Sequence, residues 1–129
     1  MTIQNGVYAC VEKLIEDTGW LPLPLASGIE SYSAGATPQY RRIDNKVYLK
    51  GAVKNVLSAG VIGTLPAGFR PVGAAHVYVQ TTSMQTSTSA NFVRMMVNVD
   101  GSVKIEGVST GAEFGATKWF PINTEFLVD

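Results

Sequence analysis

The chain has 129 residues, of which 46% are apolar and 16% charged, enough for one domain with one sizeable core. Ten basic and ten acidic residues cancel, so the electrostatic footprint of a nucleic-acid or acidic-membrane binder is missing. Apolar runs are too short to cross a bilayer as a helix, and one cysteine, Cys10, cannot close an intrachain disulfide.

The charged fraction lies below the roughly 25% of an average domain. It fits a neutral β-domain with a Ser/Thr/Asn surface. It fits equally a surface partly covered by other copies of the chain, because interface cores are depleted in charge.

Before Gly19, the residues Ile3, Val7, Cys10 and Leu14 are spaced 4, 3 and 4 apart, an a/d seam with Glu12, Lys13, Glu16 and Asp17 on its polar faces. A short helix meeting its own copies fits this pattern, and Gly19 fits its stop. Val7-Tyr-Ala-Cys-Val11 also has strand character, so a strand or extended lead fits as well. Met-Thr-Ile-Gln-Asn lacks the basic and apolar regions of a signal peptide, so synthesis in a cytoplasm is expected. Residues 1–19 thus read as a lead or short stalk, and 20–129 as a β-sandwich domain.

From Gly19 onward the chain reads as β. Trp20-Leu-Pro-Leu-Pro-Leu25 alternates apolar residues with prolines, which lack the ladder donor and demand an edge strand or extended segment. Residues 26–38 are loop-like in composition. Gln39-Tyr-Arg-Arg-Ile-Asp-Asn-Lys-Val-Tyr-Leu-Lys-Gly-Ala-Val53 reads as two strands folded about Asp44-Asn45. Tyr40 and Ile43 precede the turn, and Val47, Leu49 and Val53 alternate after it. Asp and Asn accept the positive φ of tight hairpin turns. Val61-Ile62 is a short strand leading into Leu65-Pro-Ala-Gly-Phe-Arg-Pro71, a turn-rich corner.

Ala75 to Thr81 alternates again, with Val77 and Val79 on one face and His76, Tyr78 and Gln80 on the other. Residues 81–91 are polar and uncharged, a long loop or strand edge. Asn91–Val99 and Ser102–Glu106 flank Asp100-Gly101, the strongest local hairpin signal in the chain. Val93, Met95, Val97 and Val99 share a face, as do Val103 and Ile105. Lys118–Val128 is a final strand interrupted by Pro121. Strands at intervals of about ten residues indicate a sandwich or barrel. The fold expected is all-β: an antiparallel, jelly-roll-like sandwich of about eight strands.

Catalytic groups are sparse. His76 is the single histidine, with no acidic residue near it in sequence. No serine occupies a Gly-x-Ser-x-Gly turn. One histidine and one cysteine far apart do not make a zinc site. Asp100-Gly101 reads as a turn and not a calcium loop, because Met96 and Gly107 would take positions that need carboxylates. No metal or cofactor is expected. Sugar binding needs only aromatic faces and planar polar groups, for which Tyr32, Tyr48, Trp20, Trp119, Arg41 and Arg42 are available. Trp20 and Trp119 also suit core or subunit-interface anchors, and Tyr40 suits packing under the hairpin. Face assignment singles out His76, Tyr78 and Arg94 as a ligand site. They are expected to point outward on neighbouring strands, with Val77, Val79, Val93 and Met95 pointing inward.

The order Gly19-Trp-Leu-Pro-Leu-Pro-Leu25, then the Gln39–Val53 hairpin, then Gly63-Thr-Leu-Pro-Ala-Gly-Phe-Arg-Pro71 resembles the head domains of receptor-binding and baseplate proteins of tailed phages of Gram-positive bacteria. The likeness lies in motif order over Thr18 to Pro71, and in β character over Ala75 to Asp129. Asp44 stands where that family usually has glycine. The resemblance implies a homotrimer of sandwich heads about a three-fold axis, in the virion at the tail tip or baseplate beside other tail proteins. It implies attachment to host cell-wall saccharide without bond cleavage. A purely structural tail module and a small glycan-active enzyme are the rival readings.

Overall fold

The computed structural model describes residues 16–83 and 90–128. The proposed seam of Ile3, Val7, Cys10 and Leu14 lies outside them. Eleven strands run in order among the described residues: β1 Leu21–Pro22, β2 Glu30–Ser31, β3 Gln39–Ile43, β4 Lys46–Lys50, β5 Ala52–Lys54, β6 Gly60–Thr64, β7 His76–Thr82, β8 Asn91–Val97, β9 Ser102–Val108, β10 Phe120–Pro121 and β11 Thr124–Leu127. The one helical element among them is a 3-10 turn, Ala34–Ala36, inside the expected loop.

β3 and β4 form the expected hairpin. Ile43 pairs with Lys46, leaving Asp44-Asn45 as a two-residue turn, and Asp44 adopts φ 54°. β1 lies on the open edge of β3, as Pro22 requires, and β11 covers the other side of β4 in the order β1-β3-β4-β11. Residues 16–18 extend the β1 edge: Asp17 bridges to Ile43, and Thr18 N donates to Arg42 O at 3.0 Å.

The second sheet has the order β6-β9-β8-β7. Its centre is the β8–β9 hairpin, where Asn98 N donates to Ser102 O and Gly101 N to Asn98 O, both at 2.9 Å. Gly101 takes φ 92°, and a Cβ there would stand 2.3 Å from Leu65 O, so only glycine fits. A small third sheet, β10-β5-β2, fills the side. All the strand pairs are antiparallel.

The inward faces of both large sheets meet in one core. Val47 and Leu49 come from the first sheet, Val93, Met95, Val97, Val103 and Ile105 from the second, and Phe120 and Ile122 from the final segment. Each fully buried large side chain contributes about 1.5–3 kcal/mol. The segment at Pro121 divides between sheets: β10 pairs with β5, and β11 with β4. The Leu65–Pro71 corner locks the two sheets together. Arg70 Nε donates to Leu65 O at 2.9 Å and Leu65 N donates to Gly101 O at 2.8 Å. Phe69 meets Tyr40 edge-on, with ring centroids 4.8 Å apart. Tyr40 is buried beneath the hairpin, as expected.

Candidate functional site

His76, Tyr78 and Arg94 do not share an outward face. β7 carries the expected alternation with its sides exchanged: Val77 and Val79 are 50% and 57% exposed, while His76 and Tyr78 turn inward. The physical reason is that the inward side offers polar partners beside apolar surface. Tyr78 Oη donates to Ile122 O at 3.1 Å, and His76 Nε2 shares a 2.8 Å hydrogen bond with Thr124 Oγ1. The imidazole stacks on Tyr78 at 5.3 Å and approaches Phe126 at 5.4 Å. Rings with polar tips satisfy both demands, and valine satisfies only one. Burial raises the Tyr78 phenol above its ordinary value and lowers the His76 imidazole below its own.

Arg94 does point outward, because Val93 and Met95 flank it with fully buried side chains. It lies opposite Val79, and its Nε is 2.9 Å from Glu106 Oε1. The structure therefore brings His76 and Tyr78 together inside the sandwich and places Arg94 on the reverse side of the same sheet. Around Arg94 is a shallow hollow of about 360 Å³ whose walls include Val79, Phe92, Val108 and Ser109. A register shift between Arg94 and Met95 sets it there. Gly107, opposite Arg94, leaves its floor open, with nothing within 4 Å of a built Cβ. An aromatic edge, a guanidinium and a hydroxyl thus rim one concavity.

The outward face of the first sheet carries a second polar cluster. Trp20 is half-buried at the start of β1, and neither it nor Trp119 belongs to the buried core. Lys50 Nζ rests 4.2 Å, and the Arg41 guanidinium carbon 5.6 Å, from the Trp20 ring centroid, both within cation–π range. Arg41 is held by Asp17: its Nε donates to Oδ1 at 2.8 Å and its second arm to Oδ2. That pairing, helped by the Gly19 N–H, holds the Asp17 carboxyl down at about 2. Lys46 meets Glu125 at 3.1 Å and lies 6.0 Å from the Tyr48 ring centroid. Tyr32 and Trp119 form a tilted aromatic pair with ring centroids 6.5 Å apart.

Trp20 and Arg41 are legible as candidates in the sequence, whereas Lys50 is a residue that sequence reasoning misses. The available signal was parity: Lys50 follows Leu49, so it faces away from the core, and a two-residue turn at Asp44-Asn45 sets it opposite Gln39. Among the described residues no group of three or more His, Cys, Asp or Glu is placed to hold a metal ion.

Comparison by sequence finds no matching family model and no matching curated protein. Comparison of folds does find neighbours. The receptor binding protein (gp15) of Listeria phage PSA is similar with a TM-score of 0.70, over 95% of this chain and 71% of that chain, at 18% identity. The head domain of the lactococcal phage bIL170 is similar with a TM-score of 0.54, over 84% of this chain and 96% of that chain, at 17% identity. The antiparallel sandwich is thus a fold that this chain shares with a phage receptor binding protein and a phage head domain.

Proposed function

We propose that the chain is a receptor-binding head of a phage tail, carried in the virion at the tail tip or baseplate beside other tail proteins. It attaches to saccharide on the wall of a Gram-positive host and cleaves no bond. The observation that carries this reading is the fold likeness to a phage receptor binding protein across 95% of the chain. The aromatic and cationic surface around Trp20 has the chemistry that sugar recognition uses. Lack of catalysis is supported by the single histidine, whose Nε2 is engaged by Thr124 and whose ring is stacked inside the sandwich.

The head works as a homotrimer. Val77, Val79 and Phe92 are exposed at 50%, 57% and 45% on the outer face of the neighbouring strands β7 and β8, an apolar patch suited to contact between copies. Three weak saccharide sites on one particle gain avidity without new contacts.

Binding of the purified protein to Gram-positive cell walls, with its mass measured by light scattering, tests this. The expected result is adhesion, a mass three times 13.8 kDa, and no release of reducing ends. A well-folded trimer that adheres to no wall supports the structural rival. Release of reducing ends supports the enzyme.

A further inference from the structure

On the outward face of the first sheet, Arg41 is paired with Asp17 and Lys46 with Glu125. Lys50 forms no ion pair among the described residues; its ammonium leans on Trp20. It stands where two hollows of about 290 and 340 Å³ meet, and Gly35, Ala36, Lys50 and Gly51 belong to the walls of both. Gln39 borders the first and Asn123 the second. The two are one groove with Lys50 at its middle.

The backbone makes this groove. Gly51 follows β4 at φ 111°, and a Cβ there would stand 2.5 Å from Thr37 O, so the chain packs directly on the loop before β3. Glycine and alanine in the Ala34–Ala36 turn keep that wall low. Asn123 Oδ1 accepts a hydrogen bond from Gly51 N at 3.0 Å, which leaves its amide NH₂ as a donor. Lys50 has no hydrogen-bond acceptor of its own, and no carboxylate belongs to either wall. A neutral sugar would gain ordinary hydrogen bonds here, whereas an anionic one adds a charge-assisted bond of about twice the strength.

We infer that this groove binds an acidic saccharide, with Lys50 pairing its phosphate or carboxylate and Gln39 and Asn123 bonding its hydroxyls. The inference rests on the receptor-binding reading and gives it a site. Titration of the ¹⁵N-labelled protein with glycerol phosphate, sodium glucuronate and glucose tests it. One or both anions are expected to shift the Gly51 amide and the Trp20 indole N–H, and which of them does so separates phosphate from carboxylate. Lys50→Gln should weaken that binding about tenfold, the loss of one charged hydrogen bond, while Lys54→Gln on β5 leaves it unchanged. The assignment is overturned if neither anion shifts these signals, if glucose shifts them equally, or if Lys50→Gln titrates like the parent. Wall adhesion keeps the two readings apart. Protein that binds the anions through Lys50 but adheres to no wall refutes the receptor reading alone. Protein that adheres while Lys50→Gln adheres and titrates equally refutes the groove alone.

Discussion

Tyr78 gives the sharpest test of the inward turn of β7. Its ring packs against the core, and its hydroxyl donates to Ile122 O at 3.1 Å. Tyr78→Phe keeps the ring and leaves that carbonyl without its donor, a loss of about 1.5 kcal/mol. Tyr78→Ala also removes the ring and opens a cavity. Aromatic truncations in cores cost about 3–5 kcal/mol, and a partly buried ring belongs at the lower end, about 3 kcal/mol. With a urea slope of about 1.5 kcal/mol per molar, the unfolding midpoint should fall by about 1 M for Phe and about 2 M for Ala. An outward-facing tyrosine on an open sheet would change stability by no more than about 0.5 kcal/mol either way, a midpoint shift near a third of a molar. Urea melts followed by tryptophan fluorescence, with the slope checked for constancy, read the difference. A Tyr78→Ala midpoint within that smaller shift of the parent refutes the inward placement and returns Tyr78 to the surface. Burial also raises the phenol, so an alkaline absorbance titration should show an ionisation above the ordinary tyrosine value that Tyr78→Phe removes.

Burial lowers the His76 imidazole below its ordinary 6.5, so on acidification the unfolded chain takes up this proton first. The contribution is full above about pH 6.5 and lost as pH falls through the folded value; urea midpoints measured from pH 8 to 5 should decline, and His76→Phe should flatten the decline. The Asp17 carboxyl, held at about 2 by Arg41, should titrate near there by carboxyl-carbon NMR and return toward 3.8 in Arg41→Gln. The pairing of residues 16–18 with β3 should persist down to about pH 4 and loosen as pH falls toward 2. Gly101→Ala places a Cβ against Leu65 O at a left-handed φ of 92° and should cost at least about 2 kcal/mol, seen as a fall in Tm of about 8 °C; an unchanged Tm would mean that the corner does not dock on this turn.

Strand content, the two hairpins and their turns could be read from residue order because each depends on neighbours. Asp44-Asn45 and Asp100-Gly101 supply the φ that tight turns require, and a period of two divides each strand into faces. On β8 the division also named the inside, because Val93, Met95 and Val97 are uniformly apolar beside Arg94. On β7 it did not: His76 and Tyr78 compete with Val77 and Val79, and either set suits a half-buried sheet. That choice was made by Thr124 and the Ile122 carbonyl, which lie 48 and 44 residues away along the chain and offer the rings the hydrogen bonds their tips need. The Leu65–Pro71 corner was visible as a turn, but its partners, Tyr40 and Gly101, were not. The groove at Lys50 was least legible of all. It requires Gly51 to pack on Thr37 and Asn123 to reach back across 72 residues, and long-range closeness of that kind leaves no mark on local alternation.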